Sequence, residues 1–199
     1  MKSGSRESLI LLDRDGVLNR VVVDPEQGTI DSPLHPDQVV LYPWVPEALL
    51  KLNQLGYKLS VVTNQPSAAK KKTTLANLEA THAKVLTLAQ ASGAKILSSH
   101  ICFHRSEDGC ACRKPRPQML EDALKQYGAK AASSWMVGDG VTDVQAGVAA
   151  GVLTAYFGPK KCDSRKILDE LSLKPDFWGD NLLEFVKFLE THKGNPSHE

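Results

Sequence analysis

The stretch Leu9-Ile10-Leu11-Leu12-Asp13-Arg14-Asp15-Gly16-Val17-Leu18-Asn19 decides how the rest of the chain is read. Four apolar residues run without alternation, as in a strand covered on both faces, and end in two carboxylates spaced i, i+2. On extended backbone those carboxylates project to the same side. Like charges so close repel, and the pair calls for a cation or a shared proton. A solvated turn would explain Asp13 and Asp15 taken alone, so the stretches on either side have to decide.

Other apolar runs end in the same way. Leu59 to Val62 reads as a second buried strand, closing in Thr63-Asn64-Gln65. Trp135-Met136-Val137 runs into Gly138-Asp139-Gly140, with Asp143 just beyond, and Ile96 to Phe103 is extended as it enters a Cys/His cluster. Between these runs the period changes to that of helices. Val45, Leu49, Leu52 and Leu55 share one face, with Pro46 in the first turn and Gly56 as the stop. Further helices are predicted over about 74–91, over 117–127 ahead of Gly128, and over 143–150. A strand follows at 152–157. Leu182, Leu183, Phe185, Val186 and Leu189 form a last helical face, and the polar end from His192 is expected to fray. Residues 20–42, broken by Pro25, Gly28, Pro33 and Pro36, read as a long excursion with one short extended piece at Val39-Val40-Leu41. Strands alternating with helices predict a doubly wound, Rossmann-like α/β fold, a three-layer sandwich around a mainly parallel sheet, as one domain over residues 1–199.

Composition narrows the function. The 199 residues are 42% hydrophobic and 24% charged, with a formal net charge of +1. That balance gives no electrostatic footprint for nucleic acid or a membrane surface. No apolar run reaches the length of a membrane span, and Leu9 to Leu12 is too short for a signal-peptide core. A cytoplasmic, monomeric protein acting on a small molecule is the expectation. Cys102, Cys110 and Cys112 fall within eleven residues together with His104. In a reducing compartment such a cluster reads as a metal site in preference to a disulfide framework. Three thiolates and an imidazole suffice for a closed tetrahedral Zn²⁺, structural and not catalytic, in a loop at about 102–112. Cys162 stands apart as a free thiol, and His82 and His100 read as ordinary packing or surface histidines.

Ligands of an open parallel sheet bind beyond the carboxyl ends of the strands. Asp13, Asp15, Thr63, Asn64, Arg113, Lys114, Asp139 and Asp143 would all share that rim. In their order and strand context, Asp13-Arg14-Asp15-Gly16-Val17, Thr63, Lys114 and Gly138-Asp139 with Asp143 resemble the four motifs of the haloacid-dehalogenase-like phosphohydrolases. The resemblance implies Mg²⁺ held by Asp13, the Asp15 backbone carbonyl and Asp139. It makes Asp13 the nucleophile that forms an aspartyl-phosphate, and Asp15 the acid that protonates the leaving alkoxide and then activates water. Thr63, the Asn64 backbone, Lys114 and Arg113 would take the phosphate oxygens. Asp143 would touch the metal through water, hold Lys114, or serve as an acid at a helix N-terminus.

The segment from His104 to Pro117 looks like the zinc loop of the heptose-bisphosphate phosphatase branch, which includes the histidinol-phosphatases and has no large cap domain. That resemblance implies removal of the 7-phosphate of D-glycero-D-manno-heptose 1,7-bisphosphate, a step towards lipopolysaccharide or nucleotide-activated heptose. Histidinol-phosphate phosphatase is the alternative enzyme, and a non-catalytic zinc-stapled binding module the alternative of another class. The chain departs from the branch at Pro66 to Lys72, where a Gly-containing segment with an Arg is usual, and at Pro117-Gln118-Met119, where Pro-Gly-Met is usual. Lys70 to Lys72 read first as a solvated face, with a second phosphate as the other reading.

Overall fold

A computed structural model describes residues 8–24, 26, 28–158 and 163–192; Cys162 and the polar end beyond His192 lie outside them. β1 (Leu9–Leu12) is fully buried. It pairs in parallel with β4 (Lys58–Asn64) on one side and β6 (Trp135–Gly138) on the other. β5 (Ser98–Cys102) extends the sheet beyond β4, and β7 (Leu153–Phe157) and β8 (Phe177–Gly179) extend it beyond β6. All five pairings are parallel, in the order β5-β4-β1-β6-β7-β8.

Residue alternation along the strands divides the core. Ile10, Leu12, Leu59, Val61 and Val137 face α1 (Val45–Gln54), α2 (Leu75–Ala89) and α6 (Leu182–Thr191). Leu9, Leu11, Val62 and Met136 face α3 (Gln118–Tyr127) and α4 (Val141–Ala149) on the opposite side. A sheet covered on both faces explains the unbroken apolar runs of its strands. The three-layer Rossmann-like arrangement is as the sequence predicts. No helix among the described residues is long and apolar enough to cross a membrane.

The excursion differs from its reading. It contains a small antiparallel ribbon, β2 (Val22–Asp24) with β3 (Thr29–Asp31), and a 3₁₀ turn at Pro36–Gln38. Of the extended piece, Leu41 makes only an isolated bridge to Asn19. α5 (Asp163–Glu170) lies between β7 and β8. Successive strands are laid first on one side of β1 and then on the other, so the reversal point falls at β1, where a crevice opens at the strand ends.

Candidate active site

The ladder continues one residue past β1, because the Asp13 amide donates to the Val137 carbonyl at 2.8 Å. The chain then turns sharply, with the amides of Leu18 and Asn19 both donating to the Arg14 carbonyl. Gly16 has φ +84°, and a Cβ there would sit 1.8 Å from Asp139 Oδ2. The first carboxylate loop therefore packs its backbone against the carboxylate at the end of β6. Gly138 serves in the same way, since a Cβ there would lie 2.2 Å from Asp143 Oδ2.

These close approaches gather Asp13, Asp139 and Asp143, which can each bring an oxygen within 4.8 Å of the others. The ammonium of Lys114 lies 3.0 Å from Asp13 and 2.6 Å from Asp143, and donates to the Val62 carbonyl at 2.9 Å. Asp143 Oδ2 also accepts from the Gly140 amide at 2.9 Å, closing the first turn of α4. The holding of Lys114 and the role at the helix N-terminus thus coexist. One ammonium does not balance three carboxylates. Burial, opposed by Lys114, pushes Asp13 up to about 6, and burial with the charges of Asp13 and Asp143 pushes Asp139 up to about 8. Burial alone would lower Lys114, but Asp13 and Asp143 outweigh it and hold the ammonium protonated. Hard oxygen donors in negative excess fit a divalent cation of the Mg²⁺ type.

The Asp15 carboxylate lies outside that cluster. It accepts from Arg14 Nε and Nη2 at 3.1 and 3.0 Å, from Asn19 Nδ2 at 2.8 Å and from Gln65 Nε2 at 2.6 Å. Thr63 Oγ1 accepts from Gln65 Nε2 at 3.0 Å, which leaves the hydroxyl hydrogen available to a phosphate oxygen. The Asn64 amide is tied to the backbone of Lys114 by two hydrogen bonds of 3.1 Å. Its side chain therefore seats the lysine. Arg14 and Gln65 escaped the sequence reading, although Gln65 directly follows the Thr63-Asn64 pair on the same strand end.

Cys102, His104, Cys110 and Cys112 converge with ligand atoms all within 4.8 Å of one another. The sulfurs stand 3.2 to 3.6 Å apart and His104 Nδ1 is 3.3 Å from Cys112. Those separations are far beyond a disulfide, and a tetrahedron of Zn–S bonds has edges of about 3.8 Å. Burial and the neighbouring thiols push Cys102 up to about 12, so a dry thiolate cluster needs a cation to form. Arg113 Nη1 donates to the His104 carbonyl at 3.1 Å and Arg116 Nη1 to the Cys110 carbonyl. Both arginines line a cleft of about 320 Å³ together with Asn64, Ser106, Lys114 and Thr142. A second cleft of about 350 Å³ touches Asp139 and is lined by Tyr42, Trp44, Phe157, Asp180 and Asn181, the first two stacked 5.0 Å apart.

Of the lysine run, Lys72 pairs with Asp31 on β3 at 2.5 Å, while Lys70 and Lys71 are exposed. His82 packs from α2 onto Ser99 at 2.8 Å, and burial lowers it to about 4. His100 is half-buried on β5.

The sequence matches the haloacid dehalogenase-like hydrolase family over residues 30–151. A D-glycero-beta-D-manno-heptose-1,7-bisphosphate 7-phosphatase of Neisseria meningitidis is 38% identical over 148 residues, 72% of this chain and 73% of its own. The histidine biosynthesis bifunctional protein HisB of Legionella pneumophila is 32% identical over 137 residues, 69% of this chain and 37% of that protein. The crystal structure of D,D-heptose 1,7-bisphosphate phosphatase from B. bronchiseptica, complexed with magnesium and phosphate, superposes with a TM-score of 0.77 at 30% identity. It covers 92% of this chain and 98% of that one. Fold, strand-end carboxylates and relatives agree: the chain belongs to the haloacid dehalogenase-like hydrolase family, and it is a phosphatase.

Proposed function

We propose that the chain removes the 7-phosphate of D-glycero-D-manno-heptose 1,7-bisphosphate through an aspartyl-phosphate at Asp13. The observation that carries this reading is Lys114, 3.0 Å from Asp13, lining a cleft that also presents Arg113 and Arg116. A bisphosphate needs cations for the group that reacts and for the one that stays. Asp13 attacks phosphorus and the P–O bond to the sugar breaks. Asp15 gives its proton to the departing alkoxide, then takes one from the water that hydrolyses the intermediate. Thr63, Lys114 and Arg113 hold the phosphoryl oxygens as charge gathers on them. Asp13, Asp139 and the Asp15 backbone carbonyl would hold Mg²⁺, which when bound offsets the repulsion between a carboxylate nucleophile and a phosphate dianion. Cys102, His104, Cys110 and Cys112 would hold a structural Zn²⁺.

Turnover is to be compared across heptose 1,7-bisphosphate, sugar monophosphates and histidinol phosphate. The bisphosphate should have the highest kcat/KM, and Asp13→Asn should lower it by roughly 10³-fold or more. Undiminished activity in Asp13→Asn would remove the covalent route. Histidinol phosphate is the second reading. It is favoured by the cleft beside Asp139, where Asp180 and the Tyr42–Trp44 stack suit a cationic amine. A higher kcat/KM for that ester would overturn the bisphosphate assignment.

A further inference from the structure

Gln65 is 1% exposed and Arg14 fully buried, and neither has a part in the chemistry set out above. The orientation of the Gln65 amide is dictated by its neighbours. Arg14 Nη2 has only hydrogens to offer and donates to Oε1 at 2.7 Å, so the oxygen must face it. The amide nitrogen is then left for Asp15 Oδ2 at 2.6 Å and Thr63 Oγ1 at 3.0 Å. Arg14 in turn grips both oxygens of Asp15, and its Nη1 is buried without a hydrogen-bond partner among the described residues. An unsatisfied guanidinium nitrogen is a cost that simple packing would avoid. The fold accepts it where Arg14 and Gln65 fix the Asp15 carboxylate between them.

We propose that Gln65, locked by Arg14, is the positioning residue for Asp15. It sets the direction in which that carboxyl faces the leaving group and the attacking water, without touching substrate itself. This rests on the phosphatase reading of Asp13 and Asp15. An amide that merely satisfied Arg14 would affect folding and nothing specific to proton transfer. A positioning amide affects the proton-transfer steps alone, because a misdirected acid or base loses rate while phosphate binding survives.

The test compares wild type, Gln65→Met, Asp15→Asn and the double variant on heptose 1,7-bisphosphate and on p-nitrophenyl phosphate. Nitrophenolate departs without a proton, so phosphorylation of Asp13 by that ester does not need Asp15 as an acid, whereas hydrolysis of the intermediate still needs it as a base. Gln65→Met should lower kcat on the sugar ester about ten- to a hundredfold, with KM within about threefold. With the aryl ester it should release a burst of about one nitrophenolate per chain, followed by slow turnover. The double variant should be no more than about threefold slower than Asp15→Asn, because a residue acting through Asp15 has nothing left to position. Losses that multiply in the double variant would overturn the proposal. So would a loss carried by KM, or a parallel loss on both esters without a burst. Should Gln65→Met melt below the assay temperature, Gln65→Glu carries the same test, keeping the acceptor for Arg14 while turning the donor into a carboxylate oxygen that repels Asp15, so the same kcat loss and the same burst are expected. A wild-type protein that leaves both esters intact would refute the phosphatase reading itself, an outcome distinct from these.

Discussion

A methyl group at residue 16 would overlap Asp139 Oδ2, on backbone already at φ +84°. Gly16→Ala should therefore cost about 1–3 kcal/mol of stability and weaken Mg²⁺ binding, read by chemical denaturation and by metal titration. Asp143→Asn separates the two duties of that side chain. The amide keeps an oxygen for the Gly140 amide, Lys114 stays paired with Asp13, and Asp13 and Asp139 lose a repelling neighbour, so a change of no more than about 1.5 kcal/mol in a urea melt is expected. At this scale the sequence was legible wherever a residue carries its chemistry in its charge. Asp13 and Asp139 announce themselves at strand ends, and Lys114 directly after the Cys/His cluster. Gln65 and Arg14 do not, because a neutral amide has no motif and an arginine between two aspartates reads as surface. Their roles depend on burial, which no local pattern reports.

In the proposed reaction, the chain beyond β5 would couple the Cys/His cluster to substrate. Arg113 is tethered to the His104 carbonyl and Arg116 to the Cys110 carbonyl, so opening of the cluster is expected to displace the cleft's cations. Metal analysis should find about one zinc per chain. Cys112→Ser should lose it and raise KM for the bisphosphate about tenfold or more, while kcat changes less. Zinc-free wild-type protein with an unchanged KM would contradict this coupling. The long strands and helices were readable because burial on two faces or one stripe leaves a period in the sequence. β2, β3 and β8 have three residues each, too few to show alternation. α5 buries only Leu168, so it has no apolar stripe. Where an element is held by its neighbours and not by its own pattern, the sequence is silent about it.

Across the whole molecule, the carboxylate cluster's contribution to the stability of the metal-free protein should fall with pH, opposed between about pH 4 and 6.5 by buried His82. Asp13 and Asp139 ionise near 3.8 in the unfolded chain but only at about 6 and about 8 in the fold. Below about pH 4 both states are protonated, and stability is at its greatest with respect to these groups. As pH rises towards 8 the unfolded chain releases protons that the fold retains, so unfolding becomes progressively easier. Added Mg²⁺ competes with those protons, and the rise in Tm that it brings should be larger at about pH 8.5 than at about pH 5. Equal Mg²⁺ effects at the two pH values would mean that the cluster is not the metal site. The rim was legible at this scale because the reversal of strand order at β1 must bring the ends of β1, β4 and β6 together. The clefts were not, since their walls are drawn from separate pieces of chain: Tyr42 and Trp44 ahead of α1, Ser106 to Arg116 beyond β5, and Asp180 and Asn181 beyond β8. This division has a consequence for how such a protein can change. Asp13, Thr63 and Asp139 hang from strand ends that cannot move without unmaking the sheet, whereas much of the walls is surface loop that can be exchanged piecemeal. Descent, or an engineer, can thus redirect the same hydrolysis to a new phosphate ester by rewriting loops, with the strands inherited intact.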